Sequence, residues 1–184
     1  CEDLEIDVYE LIRLANRHPR VNILQPGCGV GGHCISVDPW FLVGDYPDVV
    51  NLILQARRIN DGMPAFVLER VSEIMEQHQI SVSEVGFYGL TYKENVDDVR
   101  ESPTLQLYDC MKKHLSEGAR FYDPMVKTTL VERQYFDFDA FLEGLKLVVV
   151  MVSHDEIRQS SQRLADKLIF DTRNCVFGAH VIKL

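Results

Sequence analysis

Apolar residues in the first part of the chain recur at helical spacing. Leu4, Val8, Leu11, Ile12 and Ala15 fall on one face of an amphipathic helix that Pro19 closes. A longer stripe follows Pro47, a residue suited to a first helical turn: Val49, Leu52, Ile53, Ala56 and Ile59, then Met63, Phe66, Val67, Val71 and Ile74. Asp61-Gly62-Met63-Pro64 interrupts the stripe, because proline has no amide proton and crowds the preceding turn. The pattern predicts one long kinked helix, or two helices with a short break. A stripe this long, with little helical material around it, needs a large surface to cover it, and a second copy of the chain is the candidate. Between the two helices lie a Gly-rich loop, from Gln25 to Cys34, and Asp38-Pro39 leading into the apolar run Trp40-Phe41-Leu42-Val43.

From about Ser81 the rhythm changes to strands alternating with helices. Val85 to Leu90, Arg120 to Tyr122, the β-branched run Leu147 to Val152, Lys167 to Phe170 and Ala179 to Ile182 read as strands. Ser102-Pro103 starts a helix running to about Gly118, and Phe138 to Leu142 reads as a helical turn. This alternation predicts a doubly wound α/β sheet. The domains are expected to be 1–78, helical, and 79–184, α/β.

Composition narrows the classes. Of 184 residues, 46% are apolar and 26% charged, which describes a globular chain and excludes disorder. The net charge of −9 argues against a nucleic-acid or acidic-membrane binder, yet a few local Arg and Lys residues suffice for a small anionic substrate. No window approaches the roughly 18 apolar residues of a membrane span. The acidic opening, Cys1-Glu2-Asp3-Leu4-Glu5, lacks Met and does not resemble a signal peptide. Five cysteines, at 1, 28, 34, 110 and 175, are an odd and scattered set, so a disulfide framework is not expected and a cytoplasmic location is.

The segment Gln25-Pro26-Gly27-Cys28-Gly29-Val30-Gly31-Gly32-His33-Cys34 carries the most chemistry. Gly27, Gly29 and Gly32 spell G-x-G-x-x-G, but a helix and a proline precede them where the dinucleotide fingerprint needs a strand, so that reading is rejected. The glycines instead allow close backbone approach and expose Cys34. With His33 beside it, that thiol is a candidate nucleophile, and Asp38 a candidate to hold or deprotonate the water that hydrolyses a thioester. Two other readings stay open: a tight loop with an incidental cysteine, and zinc held by Cys28, His33 and Cys34, whose spacing fits none of the common ligand patterns.

This loop, with Asn16-Arg17-His18-Pro19-Arg20-Val21-Asn22-Ile23 before it, resembles the nucleotide-sugar 6-dehydrogenase family. Gly89-Leu90-Thr91-Tyr92-Lys93 and Asp97-Asp98-Val99-Arg100-Glu101-Ser102-Pro103 form a second matching block. The resemblance implies oxidation of a UDP-sugar C6 alcohol to a carboxylate with NAD, through a cysteine thiohemiacetal and thioester. It implies Cys34 as nucleophile and Asp38 as the acidic residue assisting hydrolysis. Substrate contacts are implied at Tyr92, Lys93 and Arg173, with His18, Arg20 and Gly31 nearby, and a cofactor contact at Arg100; no metal site is implied. His33 and Val37 stand where relatives acting on UDP-glucose carry Ser and Lys, which favours the N-acetylated hexosamine branch, with UDP-glucose as the alternative. The implied fold is a helical remnant of the central dimerisation domain followed by a Rossmann-like, doubly wound UDP-binding domain. The implied assembly is a homodimer, and the implied role surface polysaccharide synthesis. The family's NAD-binding domain has no counterpart here, so the chain reads as the C-terminal portion of a longer enzyme. Alone it is expected to act as a UDP-binding and dimerisation module without hydride transfer. A thiol redox or metal protein unrelated to sugar nucleotides is the remaining alternative.

Overall fold

The computed structural model describes residues 1, 4, 6–114, 118–178 and 180–184. Helix α1, Val8–Ala15, starts later than the stripe from Leu4 suggests (residue 5 lies outside the described residues). Asp7 sets the start, because its carboxylate accepts the N–H groups of Tyr9 and Glu10 at 2.8 and 3.2 Å. The run after Asp38-Pro39 is helix α2, Asp38–Asp45, with proline and an acidic residue in its first turn. Pro47 lies in the turn before the long helix rather than within it: α3 spans Asn51–His78 and passes through Pro64 without a break.

The stripe on α3 does not act as one surface. Val67, Val71 and Ile74 are 0%, 1% and 2% exposed inside the chain's own core, whereas Val49, Leu52 and Ile59 are 81%, 84% and 69% exposed. The expected partner surface from Val49 to Ile74 therefore fails for its second half, which is core, and only the first half is exposed. The second half packs with α4, Pro103–His114, on one face of the sheet.

That sheet has six strands: β1 Val85–Tyr88, β2 Arg120–Tyr122, β3 Gln134–Tyr135, β4 Leu147–Val150, β5 Leu168–Asp171 and β6 Val181–Lys183. Their order is β3-β2-β1-β4-β5-β6 and every pairing is parallel. The fold is the Rossmann-like α/β sheet expected for a doubly wound domain. The two-residue β3 escaped the sequence pattern, and β6 begins two residues after the expected Ala179, which is outside the described residues. The expected end of α4 near Gly118 likewise falls on residues 115–117, outside the described residues.

Strand alternation assigns the two faces. Val85, Phe87, Leu147 and Val149 meet Val67, Val71, Ile74, Leu107 and Met111 on the α3/α4 side. Tyr88, Val148 and Val150 meet Phe138, Phe141 and Leu142 of α5, Phe138–Leu142, and Ile157 of α6, Asp155–Arg158, on the other. Both faces are covered, so the carboxyl ends of the strands are where this sheet presents loops.

Candidate active site

The strand order reverses between β1 and β4, the point at which open parallel sheets bind ligands. The loop after β1 brings Tyr92, Lys93 and Arg100 there, and the segment after β5 brings Arg173. The Gly-rich loop lies over this edge. Cys28 is buried and its Sγ donates to the carbonyl of Met151, just beyond β4, at 3.3 Å. The Gly32 N–H donates to the carbonyl of Arg100 at 3.0 Å.

Glycine is required where the two loops meet. A Cβ on Gly31 would sit 2.2 Å from the Glu101 carbonyl oxygen and 2.9 Å from Tyr92 Cβ. Gly32 has φ +99°, a left-handed backbone that L side chains rarely adopt, and a Cβ there would lie 3.1 Å from the Tyr92 ring. Gly31 is thus a packing residue at this junction, whatever it does for a substrate.

Cys34 is exposed, with His33 Nδ1 3.6 Å from its Sγ. One turn later Asp38 opens α2, and its N–H donates to the Cys34 carbonyl at 2.9 Å. Cys34 and Asp38 thus stand at the two ends of a single turn of backbone. Arg100 is exposed but already engaged: its Nη2 lies 2.6 Å and its Nε 3.0 Å from the carboxylate of Asp98. The side-chain and backbone hydrogen bonds from Arg100 hold the Asp98 carboxyl down at about 2. Tyr92 and Cys34 are within electrostatic reach of the same guanidinium.

Arg173 approaches the loop's other end. Its guanidinium lies against Gly27, where a Cβ would be 2.6 Å from Nη1, and it lines a cleft of about 240 Å³ with Gly29, Val30, Ile59 and Asn60. The structure therefore gathers Gly31, Cys34, Tyr92 and Arg100 at one end of the loop and Arg173 at the other. Lys93 is exposed beside Tyr92, its carbonyl accepting the Thr91 hydroxyl at 3.0 Å. His18 and Arg20 are exposed upstream, where the Arg20 N–H donates to His18 Nδ1 at 3.2 Å. No hydrogen bond or ion pair ties either of them to Cys34 among the described residues. The zinc alternative is not assembled: no group of three His, Cys, Asp or Glu side chains could hold a metal among the described residues.

Sequence reasoning missed two sets of residues here. Asp123 and His154, both buried, fasten the loop that carries Tyr92. Asp123 Oδ2 accepts the N–H groups of Leu90 and Thr91 at 2.6 and 3.0 Å, and His154 Nε2 lies 3.2 Å from it. The Asn95 N–H points at His154 Nδ1 at 2.9 Å; an amide can only donate, so the imidazole proton sits on Nε2 and goes to Asp123. Burial pushes the Asp123 carboxyl up, and the His154 hydrogen bond with the two amides outweighs it, so the net direction is downward. Spacing in sequence gave no sign of this long-range pair. Arg57, Asn60 and Asp61 are the second set; their helical spacing, polar within an apolar stripe, was a usable signal.

The chain belongs to the UDP-glucose/GDP-mannose dehydrogenase family: the family's UDP binding domain matches residues 86–178 and its central domain residues 1–62. Among named relatives, the NDP-N-acetyl-D-galactosaminuronic acid dehydrogenase of Ralstonia nicotianae is 40% identical over 177 residues, 94% of this chain and 41% of that protein. The UDP-N-acetyl-D-mannosamine dehydrogenase of Methanocaldococcus jannaschii is 40% identical over 184 residues, 95% of this chain and 41% of that protein. Among solved structures, a UDP-N-acetyl-mannosamine dehydrogenase of Staphylococcus aureus superposes with a TM-score of 0.84 at 38% identity, covering 100% of this chain and 44% of that one. The chain thus spans less than half the length of the relatives it matches.

Proposed function

We propose that this chain supplies the thiol site and the UDP-binding domain of an NAD-dependent UDP-N-acetylhexosamine 6-dehydrogenase, with UDP-N-acetyl-D-mannosamine as the sugar nucleotide. The observation that carries this reading is the exposed Cys34 on a loop packed over the β1/β4 switch point, next to Tyr92 and Arg100. The names of the relatives support the N-acetylated sugar. In this reading the chain divides into 1–78 and 79–184, a boundary supported by the end of α3 at His78 and the left-handed Gln79 at φ 53°.

Each residue has a chemical task in this reading. Cys34 Sγ adds to the C6 aldehyde; the S–C bond forms, the thiol proton passes to the carbonyl oxygen, and a thiohemiacetal results. Loss of a hydride from C6 and a proton from its hydroxyl gives the thioester. Water held at Asp38 then attacks the carbonyl carbon, releasing the acid and returning the thiol. Tyr92, Lys93 and Arg173 bind the UDP moiety, with charge-assisted hydrogen bonds to the diphosphate contributing about 1.5–3 kcal/mol each. Gly31, His18 and Arg20 border the sugar. Bound NAD supplies the hydride acceptor for both oxidations. Arg100, an exposed cation at the loop edge, is the residue of this chain that fits its charge.

The exposed apolar residues Trp40, Phe41, Tyr46, Val49, Leu52 and Ile59 are the homodimer contact in this reading. A cytoplasmic location agrees with five free cysteines, and the acidic product suits surface polysaccharide synthesis. The test is carboxylate formation by the intact protein: Cys34→Ala abolishes it and Cys28→Ala leaves most of it. Full activity in Cys34→Ala would overturn the assignment. Calorimetry with UDP checks the binding half independently.

A further inference from the structure

Two side chains of α3 grip the Gly-rich loop on either side of its thiol. Asn60 meets Val30 as a paired strand would: the Val30 N–H donates to Asn60 Oδ1 at 2.7 Å, and Asn60 Nδ2 donates to the Val30 carbonyl at 3.2 Å. Arg57, one turn earlier, donates from Nη1 to the Ile35 carbonyl at 3.2 Å and from Nη2 to Asp61 at 2.5 Å. Val30 and Ile35 bracket Gly31 to Cys34, so the span that carries the thiol is held at both ends.

The Arg57 arrangement is costly. Its side chain is 8% exposed, its charge is offset by a half-open Asp61, and its Nε is buried with no partner. A buried guanidinium with one N–H unsatisfied is a poor way to stabilise a helix, since each orphaned polar group carries a desolvation penalty. What it gains is a fixed carbonyl one residue beyond Cys34. Asn60 is equally particular: it must both accept and donate, which neither Asp nor a hydrophobe can do.

We propose that Arg57 and Asn60 are positioning residues for Cys34, holding the loop so that the sulfur stays in line with the sugar carbon. This rests on the reading of Cys34 as nucleophile. Their effect is on the geometry of the chemical step and not on capture of the UDP moiety, which Tyr92, Lys93 and Arg173 serve.

The experiment compares Arg57→Ala, Arg57→Lys, Asn60→Asp and Cys34→Ala in the intact protein. Arg57→Ala is expected to lower kcat for carboxylate formation about 10- to 100-fold, with KM for the UDP-sugar nearly unchanged. Arg57→Lys keeps the charge but loses the fork, so it falls between, and added guanidinium restores part of the Arg57→Ala loss. Amide hydrogen exchange across residues 29–38 is expected to quicken about tenfold or more in Arg57→Ala and in Asn60→Asp. Should Arg57→Ala fail to fold, Asn60→Asp carries the same two readouts. Unchanged exchange, unchanged kcat, or a rise in KM with kcat intact would each overturn the proposal. The two readings fail separately: persistent activity in Cys34→Ala defeats the thiol chemistry, while loop exchange reports on the grip alone.

Discussion

Gly31→Ala isolates close packing from every other role a glycine can have. The backbone of Gly31 is not left-handed, so alanine meets no conformational penalty there and the whole cost comes from contact. Its Cβ would lie 2.2 Å from the Glu101 oxygen, 2.9 Å from the Glu101 carbonyl carbon and 2.9 Å from Tyr92 Cβ. Against a carbon–oxygen contact of about 3.3 Å, the overlap is about 1 Å. The obstacles are backbone and the stem of a side chain, not a flexible tip, and Glu101 itself is held at φ 50°. The loop must lift, which stretches the Gly32–Arg100 hydrogen bond and carries Cys34 with it. Overpacking of this kind costs about 1–3 kcal/mol, and a 1 Å displacement of a reacting group costs about 100-fold in rate. Urea unfolding and initial rates of carboxylate formation read the two effects side by side. Gly62→Ala is the control: that glycine lies within α3 with nothing within 4 Å of the added carbon, and the substitution should stabilise by about 0.5–1 kcal/mol. A Gly31→Ala protein as stable and as fast as the parent would refute the packing argument.

Three further outcomes follow from the geometry. Asp123 has a folded-state pKa below its unfolded value of about 3.9, so its contribution to stability is present above about pH 4 and is lost as pH falls through the folded pKa. Asp123→Asn should flatten the acid limb of urea midpoints against pH below about 4, and an identical limb in both proteins would contradict this. Burial pushes the Cys28 thiol upward, so iodoacetamide near neutral pH should label Cys34 and spare Cys28; equal labelling would count against the burial. In the proposed homodimer, Leu52→Glu on the exposed half of α3 should shift sedimentation velocity from dimer to monomer; an unchanged dimer would move the contact elsewhere, and a monomeric parent would refute the homodimer.

The parallel sheet was legible because its central strands are buried on both faces and therefore read as unbroken apolar runs, Leu147 to Val150 above all. Strand β3 was not, since Gln134 and Tyr135 are only half-buried at the sheet's edge and carry no alternation. The long helix was legible from its period, but its period could not say what covers it. Val71 and Val49 look alike in sequence, and only the position of α4 and the sheet makes one core and the other surface. The loop pointed to Cys34, and the family resemblance of the loop and of the second block added Gly31 and Tyr92. The residues that hold them lie far away in sequence: Val30 and Asn60 are 30 residues apart, and Asp123 and His154 are 31 apart. A hydrogen bond of that reach leaves no local pattern of its own; only the polar positions Arg57, Asn60 and Asp61 inside the apolar stripe of α3 marked one end of the first pair.

Pro64 has a consequence for how this chain trades robustness against function. With no N–H, it leaves the Asn60 carbonyl four residues back without its helical donor. That oxygen faces the Gly-rich loop, 3.4 Å from where a Cβ on Gly29 would stand, and the side chain of the same residue holds Val30. The weakest rung of the longest helix is thus set directly beneath the reactive segment. Restoring the rung would firm up the helix and draw the carbonyl back into it, so a protein selected only for heat resistance would be under pressure to mend the one turn its reactive loop rests on.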